Sequence, residues 1–405
     1  MEPELIERFG DWAGFRVSGV ERREGHPPQV RIRLEPLEQG PYRCGHCGEP
    51  TQRVHERVVR EIRDLPLFDA QTFLEVTVLR VWCERCGGPK RMAIDWLDEH
   101  QRMTQRLAKA IASLTRFMTV EHVARFYGVH WHTVKRLDKD ALRAQLEPQD
   151  FSAVRIIGID EFALHKGHRY ATVVVDLPSR RVLWVGPGRG RADVQPFFEL
   201  LGPRCQQIEA AVMDMNGSYE LEVRRHCPRA AIVFDLFHVL AKYGREVLDR
   251  VRVDKANELR ADRAQRRLVK GARWLLLKNR DSLQAGEDVT LHELLAANRE
   301  LFVVYVLRDA LRDLWHYRHS GYAARAWRSW YRKALRSGIA PLRTFARRLR
   351  PYLPGILAHC QHPMGTNLVE GINNRIKVIK RMAYGFRDQE YFFLKIRAAF
   401  PGIAR

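Results

Sequence analysis

The chain has 405 residues, 45% of them hydrophobic, and its 69 Lys and Arg outnumber 48 Asp and Glu to give a formal net charge of +21. This length predicts two to four folded units, and the apolar content excludes a largely disordered chain. No apolar run approaches the roughly 18 residues that a membrane span needs, so the cationic excess favours nucleic acid as the partner. The first residues lack a secretory signal, so we expect a cytoplasmic protein.

Two cysteine pairs lie in the first quarter of the chain. Cys44 and Cys47 form one CxxC motif and Cys83 and Cys86 form a second, and the sequence between them alternates as a strand does over residues 73–81. In a reducing compartment such pairs hold metal more often than they form disulfides. Four thiolates complete a closed tetrahedral Zn²⁺ shell, so we predict a structural zinc in a small β unit, with two unrelated reduced pairs as the alternative.

The segment that follows, residues 102–146, has helical apolar spacing interrupted by Gly128. Small and apolar residues on both sides of this glycine fit two short helices that meet at a tight turn: Val123, Ala124, Phe126, Val129, Val134 and Leu137. The second helix would enter the major groove of DNA, with candidate contacts from His130, Trp131, His132, Thr133, Lys135 and Arg136. An ordinary helical hairpin is the alternative.

From residue 154 the pattern becomes strand-like. Helices are predicted after the third and fourth of five strands, which cover residues 155–160, 169–177, 181–186, 208–214 and 230–235. The order β-β-β-α-β-α-β suits a mixed sheet with helices on both faces, and it matches the order of a ribonuclease-H-like core.

Residues 236–358 are helical in pattern and rich in Arg, with Trp and Tyr interleaved. Aromatic rings beside cations could stack on bases of a nucleic acid. The same pattern also fits a helical domain whose aromatic side chains form the core and whose arginines face solvent.

Acidic residues end three of the predicted strands: Asp160, Asp214 and Asp235. Carboxylates gathered at one sheet edge repel each other unless a cation lies between them. Mg²⁺ or Mn²⁺ ions held by such acids can activate water or a 3′-hydroxyl and stabilise the leaving oxygen of a phosphodiester. A strand-end Asp can also cap the next helix, which is the role we expect for Asp235. His238, one turn later, would contact the reacting region or pair with Asp235.

The last amphipathic segment covers residues 367–386. At 100° per residue its polar face carries Glu370, Asn374, Lys377 and Arg381, and its apolar face carries Ile372, Ile376, Ile379 and Ala383. The polar face suits a helix that lines a DNA-bound metal site, with Lys377 and Arg381 as DNA contacts. A solvated face with Glu near a helix N-terminus would need no function.

Taken together, these segments resemble the ISL-three type of bacterial insertion-sequence transposases. Besides the cysteine pairs and the helix-turn-helix, the matching stretches are GIDEFALHKGHRYATVVVDL, VMDMNGSY, VFDLFHV, RWLLLKN and EGINNRIKVIKRMAYGFRD. The resemblance implies a ribonuclease-H-like catalytic domain interrupted by a helical insertion. Its metal-binding triad would be Asp160, Asp214 and Glu370, with Asp235 and His238 in supporting positions.

The resemblance also implies a domain order. A zinc-ribbon-like domain would cover 1–98, a helix-turn-helix 99–148, the catalytic domain 149–244 and 359–405, and the helical insertion 245–358. The expected partner is double-stranded DNA, as terminal inverted repeats and as target, bound by a homodimer or higher oligomer associated with the nucleoid. Competing functions are a DNA-binding regulator or domesticated transposase without strand transfer, and a ribonuclease-H-like nuclease that cuts without joining.

Overall fold

The computed structural model describes residues 3–38, 40–98, 101–165, 167, 169–278, 282–363 and 367–403. The chain divides into two compact units, Met1–Gln145 and Leu146–Arg405. Each unit has hydrophobic cores of its own. Within the described ranges, every helix is too short or too polar to cross a bilayer.

The first unit begins with a β-rich part whose elements are α1 (Pro3–Gly10), β1 (Phe15–Arg23), β2 (Gln29–Pro36), β3 (Tyr42–Arg43), β4 (Pro50–Thr51), β5 (Val54–Leu67), β6 (Ala70–Cys83) and β7 (Gly88–Arg91). The main sheet has the order β1-β2-β6-β5, with β7 also paired to β6. The strand predicted over 73–81 is confirmed as part of β6. Sequence analysis missed β2, although Val30, Ile32 and Leu34 alternate there and are buried.

Three helices complete the first unit: α2 (Gln105–Leu114), α3 (Val120–Tyr127) and α4 (Trp131–Leu146). Gly128 ends α3 with φ +61°, a left-handed conformation that glycine adopts at little cost, so the predicted turn is confirmed. Of the apolar residues before this glycine, Val123 and Ala124 are buried, whereas the Phe126 side chain is 66% exposed. Tyr127 is buried instead, since it lies four residues after the buried Val123 on the same helical face.

The second unit contains the predicted mixed sheet, built from β8 (Ile156–His165), β9 (Arg169–Asp176), β10 (Arg181–Pro187), β11 (Ala210–Met213) and β12 (Ala231–Phe234). Its order is β10-β9-β8-β11-β12. The first three strands pair antiparallel, and β11 runs parallel to both β8 and β12. This arrangement is the expected ribonuclease-H-like core.

Helices cover both faces of this sheet: α5 (Arg191–Leu201) and α6 (Gly217–His226) on one, α16 (Asn367–Met382) and α17 (Gln389–Ala399) on the other. Ile157 and Ile159 of β8 share a core with α5 and α6. Phe162 of the same strand packs with Ile372 and Ile376 of α16. Because side chains alternate along a strand, even-numbered residues of β8 face α16.

Between β12 and α16 lies a helical segment, with α7 (Leu236–Tyr243), a π-helical turn (Gly244–Leu248), α8 (Asp249–Glu258), α9 (Arg263–Gly271), α10 (Arg273–Leu277), α11 (Ala285–Ala297), α12 (Arg299–Arg312), α13 (Ser320–Arg336), α14 (Ala340–Leu349) and α15 (Leu353–Leu357). Trp327 and Trp330 lie in its core, and the indole N–H of Trp330 donates to the carbonyl of Leu307. The core interpretation therefore holds for these two residues, whereas Trp274 is 71% exposed.

Candidate functional site

The four cysteines come together in the first unit. Their Sγ atoms lie within 4.8 Å of one another, and those of Cys47 and Cys83 are 3.5 Å apart. Cys44 follows β3, while Cys83 ends β6, so the long β5–β6 hairpin returns the second motif to the first. Gly48 and Gly87 have φ values of +76° and +65°, which explains glycine at these tight turns.

Electrostatics in this cluster favour a cation. Burial raises the pKa of Cys44, but hydrogen bonds from the backbone of Cys47 and His46 outweigh it and bring that pKa to about 7. The pKa of Cys86 is raised to about 12, first by its contact with Cys47 and then by burial. Without metal, the negative charge of one thiolate makes ionisation of the neighbouring thiols unfavourable. A divalent cation bound between them would remove this repulsion.

The predicted recognition helix is α4. Its candidate contacts His130, Trp131, His132 and Arg136 are exposed, and Thr133 and Lys135 are half-buried. His130 also caps the helix, because its Nδ1 accepts a hydrogen bond of 3.3 Å from the backbone N–H of His132. The His132 ring stacks on Trp131 with 3.6 Å between ring centroids. The rings of His130, Trp131 and His132 therefore form a compact cluster at the N-terminus of α4.

The first two predicted catalytic acids are neighbours in the sheet. Residues Met213 and Ile159 are register partners on the parallel strands β11 and β8, so Asp214 and Asp160 follow them side by side. The prediction that Asp160 ends its strand was wrong: β8 continues five residues further, because Glu161 to His165 stay paired with β9. Asp160 thus lies in mid-strand on the α16 face, while Asp214 does directly follow β11.

Both carboxyl groups are hard to ionise. Burial raises the pKa of Asp160 to about 6, and the charges of Asp214 and Glu161 add to this effect. Burial also raises the pKa of Asp214, again with Glu161 contributing, while His238 lowers the pKa of both groups. Oδ1 of Asp214 is buried without a hydrogen-bond partner among the described residues. Two buried neighbouring acids whose ionisation is unfavourable fit a site for a divalent cation.

Asp235 follows β12 and caps α7, since its Oδ1 accepts a hydrogen bond of 2.9 Å from the N–H of Phe237. Its other oxygen lies 3.6 Å from Nε2 of His238. The same imidazole nitrogen is 3.9 Å from Oδ1 of Asp160. His238 therefore lies between the helix cap and the first acid.

Helix α16 packs directly on β8. Asn373 donates a hydrogen bond of 2.6 Å to Oδ2 of Asp160, and the oxygen of its amide is buried without a partner among the described residues. Val369 lies over Gly158, where an added Cβ would be only 3.2 Å from the valine side chain. Glu370 is exposed, as are Asn374, Lys377 and Arg381, whereas Ile372 and Ile376 are buried, so the predicted polar and apolar faces are confirmed.

Two residues of this site were not predicted from the sequence, Asn373 and Glu161. Asn373 lies one turn after Glu370, so the helical period places it near a predicted triad residue, but its contact with Asp160 comes from the packing of α16 on β8. Glu161 adjoins Asp160 and accepts a hydrogen bond of 2.7 Å from Arg189. No local pattern distinguishes it from an ordinary exposed acid.

An open groove of about 710 Å³ adjoins these acids, lined by residues that include Glu161, Asn373, Lys377, Lys380, Arg381 and Tyr384. Two of these residues are the predicted DNA contacts Lys377 and Arg381. The groove therefore combines one acidic side chain, that of Glu161, with three cationic side chains from α16, which suits a phosphodiester approaching a metal site.

A ribonuclease-H-like sheet with paired acids, preceded by a helix-turn-helix and a cysteine cluster, is the combination expected of a DNA transposase. Three family models match the chain: the ISL3 transposase model with the DDE domain over residues 157–396, the helix-turn-helix domain of transposase family ISL3 over 92–142, and the zinc-finger of transposase IS204/IS1001/IS1096/IS1165 over 40–86.

Full-length relatives agree with these models. The transposase for insertion sequence element IS1001 of Bordetella parapertussis is 54% identical over 406 residues, with 100% of both chains covered. The transposase for insertion sequence element IS1557 of Mycobacterium tuberculosis is 28% identical, covering 90% of this chain and 87% of the relative. The chain belongs to the ISL3 family of insertion-sequence transposases.

Proposed function

We propose that this transposase cuts and joins DNA by metal-dependent phosphodiester chemistry, with Asp160, Asp214 and Glu370 as the metal-binding triad. The observation that carries the proposal is the pair of adjacent acids, Asp160 and Asp214, each with a raised pKa. The unpartnered oxygens of Asp214 and Asn373 are donors of the type that Mg²⁺ and Mn²⁺ prefer.

The packing of α16 supports Glu370 as the third member. Val369 and Asn373 lie one helical turn apart, about 6 Å along the axis, and contact Gly158 and Asp160, which lie about 6.6 Å apart along β8. The helix therefore follows the strand closely over this turn. Glu370 is on the same turn, next to Val369 and on the polar face that continues to Lys377.

Each residue would have a separate task. The chemistry supplied by bound Mg²⁺ or Mn²⁺ is activation of the attacking water or 3′-hydroxyl and stabilisation of the leaving oxygen. Asn373 would hold the carboxylate of Asp160 in one orientation. His238, supported by Asp235, would add positive character beside Asp160 when protonated, and Lys377 and Arg381 would bind the DNA backbone.

The remaining modules have supporting roles in this proposal. Cys44, Cys47, Cys83 and Cys86 would hold one structural Zn²⁺. Helix α4 would bind the terminal inverted repeats through His130, Trp131, His132, Thr133, Lys135 and Arg136. The domain order given above and a homodimer or higher oligomer on DNA belong to the same proposal.

The test is incubation of the purified protein with DNA carrying the flanking element ends and Mg²⁺, followed by sequencing of cleaved and joined products. Asp160→Ala, Asp214→Ala and Glu370→Ala should each abolish both products and leave binding to the ends nearly intact. Glu199→Ala, at an exposed position of α5, is the matched control and should retain activity.

Two competing functions make different predictions in this assay. A nuclease would give nicks without joined products, and a DNA-binding regulator would give neither with wild-type protein. An active Glu370→Ala protein beside an inactive Asp235→Asn protein would move the third ligand to Asp235, and would leave α16 with DNA contacts only.

A further inference from the structure

A second cationic groove lies in the helical insertion and shares no lining residue with the groove beside Glu161. Its volume is about 880 Å³, and its lining includes Arg325, Arg328, Arg332 and Arg350 together with Trp327 and Tyr331. Three of the arginines come from α13, at spacings of three and four residues, so they share one helical face. Arg350 comes from the turn that follows α14.

The local sequence leaves this groove without negative charge. Between Asp313 and Glu370 the chain has no Asp or Glu, and it has ten Lys and Arg. In the described structure the four groove arginines are exposed and form no ion pair with a carboxylate. By contrast, Arg250 and Lys255 on α8 pair with Asp254 and Glu258. The groove cations are therefore available for an external anion.

We infer that this groove binds the phosphate backbone of double-stranded DNA without reading its bases. Trp327 does not offer a stacking platform for bases, because it is only 3% exposed and packs against Trp330 and Tyr331. Arginine suits phosphate, which its planar fork contacts in a bidentate manner. From Arg325 to Arg332 the helix rises about 10 Å, roughly three steps of one DNA strand.

This inference rests on the membership in a DNA transposase family and is independent of the proposed metal chemistry. The insertion would add phosphate contacts to those of the helix-turn-helix. It would therefore increase affinity equally for element ends and for unrelated duplexes.

The experiment measures binding of the full chain to a fluorescent duplex of arbitrary sequence, by anisotropy, over a series of salt concentrations and without added Mg²⁺ or Mn²⁺. The test variant is Arg328→Ala/Arg332→Ala, in which Ala maintains the helix. The control variant Arg250→Ala/Lys255→Ala removes the same charge from cations that are already paired. Circular dichroism verifies that both variants are folded.

We expect the test variant to bind more weakly and to reduce the slope of log affinity against log salt concentration by about 1.8, since each lost phosphate contact contributes about 0.9. The control should change the slope by much less. An unchanged slope in the test variant, or an equal reduction in both, would overturn the inference. Because no catalytic metal is added, failure here is distinct from failure of the proposed chemistry.

Discussion

Asn373 donates a hydrogen bond of 2.6 Å to the carboxylate of Asp160, across 213 positions of sequence. The bond connects α16 to β8. It also fixes one oxygen of a carboxylate whose pKa burial raises to about 6. The neighbouring Asn374 is exposed and accepts a hydrogen bond from Lys377. The two asparagines therefore form a natural pair for comparison.

Replacing Asn373 by Ala should reduce DNA cleavage by roughly 10–100-fold, the usual loss when a group that orients a metal ligand is removed. The pH profile should also change. Loss of a donor to the ionised carboxylate raises the pKa of Asp160 further, so the acidic limb of the rate profile should move to higher pH. Asn374→Ala is the control, and equal effects of the two substitutions would contradict a specific role for Asn373.

The pKa of Asp160 predicts how stability depends on pH. Burial raises this pKa from 3.8 to about 6, so the folded protein binds the proton more tightly than the unfolded chain. The stabilisation is fully present below about pH 4, is lost as pH rises to about 6, and stays lost above that. Without Mg²⁺ or Mn²⁺, Asp160→Asn should therefore be more stable than wild type at pH 7.5, by about 1–3 kcal/mol.

Thermal and denaturant unfolding at pH 4, 6 and 7.5 check this expectation, and the difference between Asp160→Asn and wild type should shrink toward zero at pH 4. Added Mn²⁺ should raise the stability of wild type more than that of the variant. Asp254→Asn, on the insertion, serves as the control. If Asp160→Asn is less stable than wild type at pH 7.5, the ionised carboxylate of Asp160 does not destabilise the folded protein.

Metal analysis should find about one Zn per chain. Cys83→Ser should lose this zinc and the structure of the β-rich part, because structural zinc contributes roughly 10–16 kcal/mol in small peptides. Cys360→Ser provides a cysteine control outside the cluster and should retain the metal. Zinc-free protein with a native β-rich part would refute the assignment.

The recognition helix can be tested through Lys135 and Arg136. Their joint replacement by Ala should weaken binding to the element ends and lower the salt slope by about two if both side chains touch phosphate. Arg125→Ala is a suitable control, because Arg125 lies on α3 and not on the proposed recognition helix. Unchanged affinity and slope would assign recognition of the ends to another surface.

The sequence by itself determined those features that depend on local spacing. The CxxC pairs, the glycine turn before α4 and the two faces of α16 follow from the residue types and from the periods of helix and strand. The order of strands and helices also sufficed to predict the ribonuclease-H-like sheet. Each CxxC motif, the glycine turn and the α16 pattern lie within about twenty residues, where backbone geometry fixes which side chains share a face, whereas the order of strands and helices extends over residues 155–235.

Tertiary structure decided the rest, because it depends on partners that are distant in sequence. Pairing with β9 extends β8 beyond Asp160, so an acid that looked like a strand end lies in mid-strand. The Trp327 ring, which the sequence allowed as a platform for base stacking, is buried in the core. Only the packing of α16 on Gly158 brings Asn373 to Asp160, since no period in the sequence relates a C-terminal helix to the strand it covers.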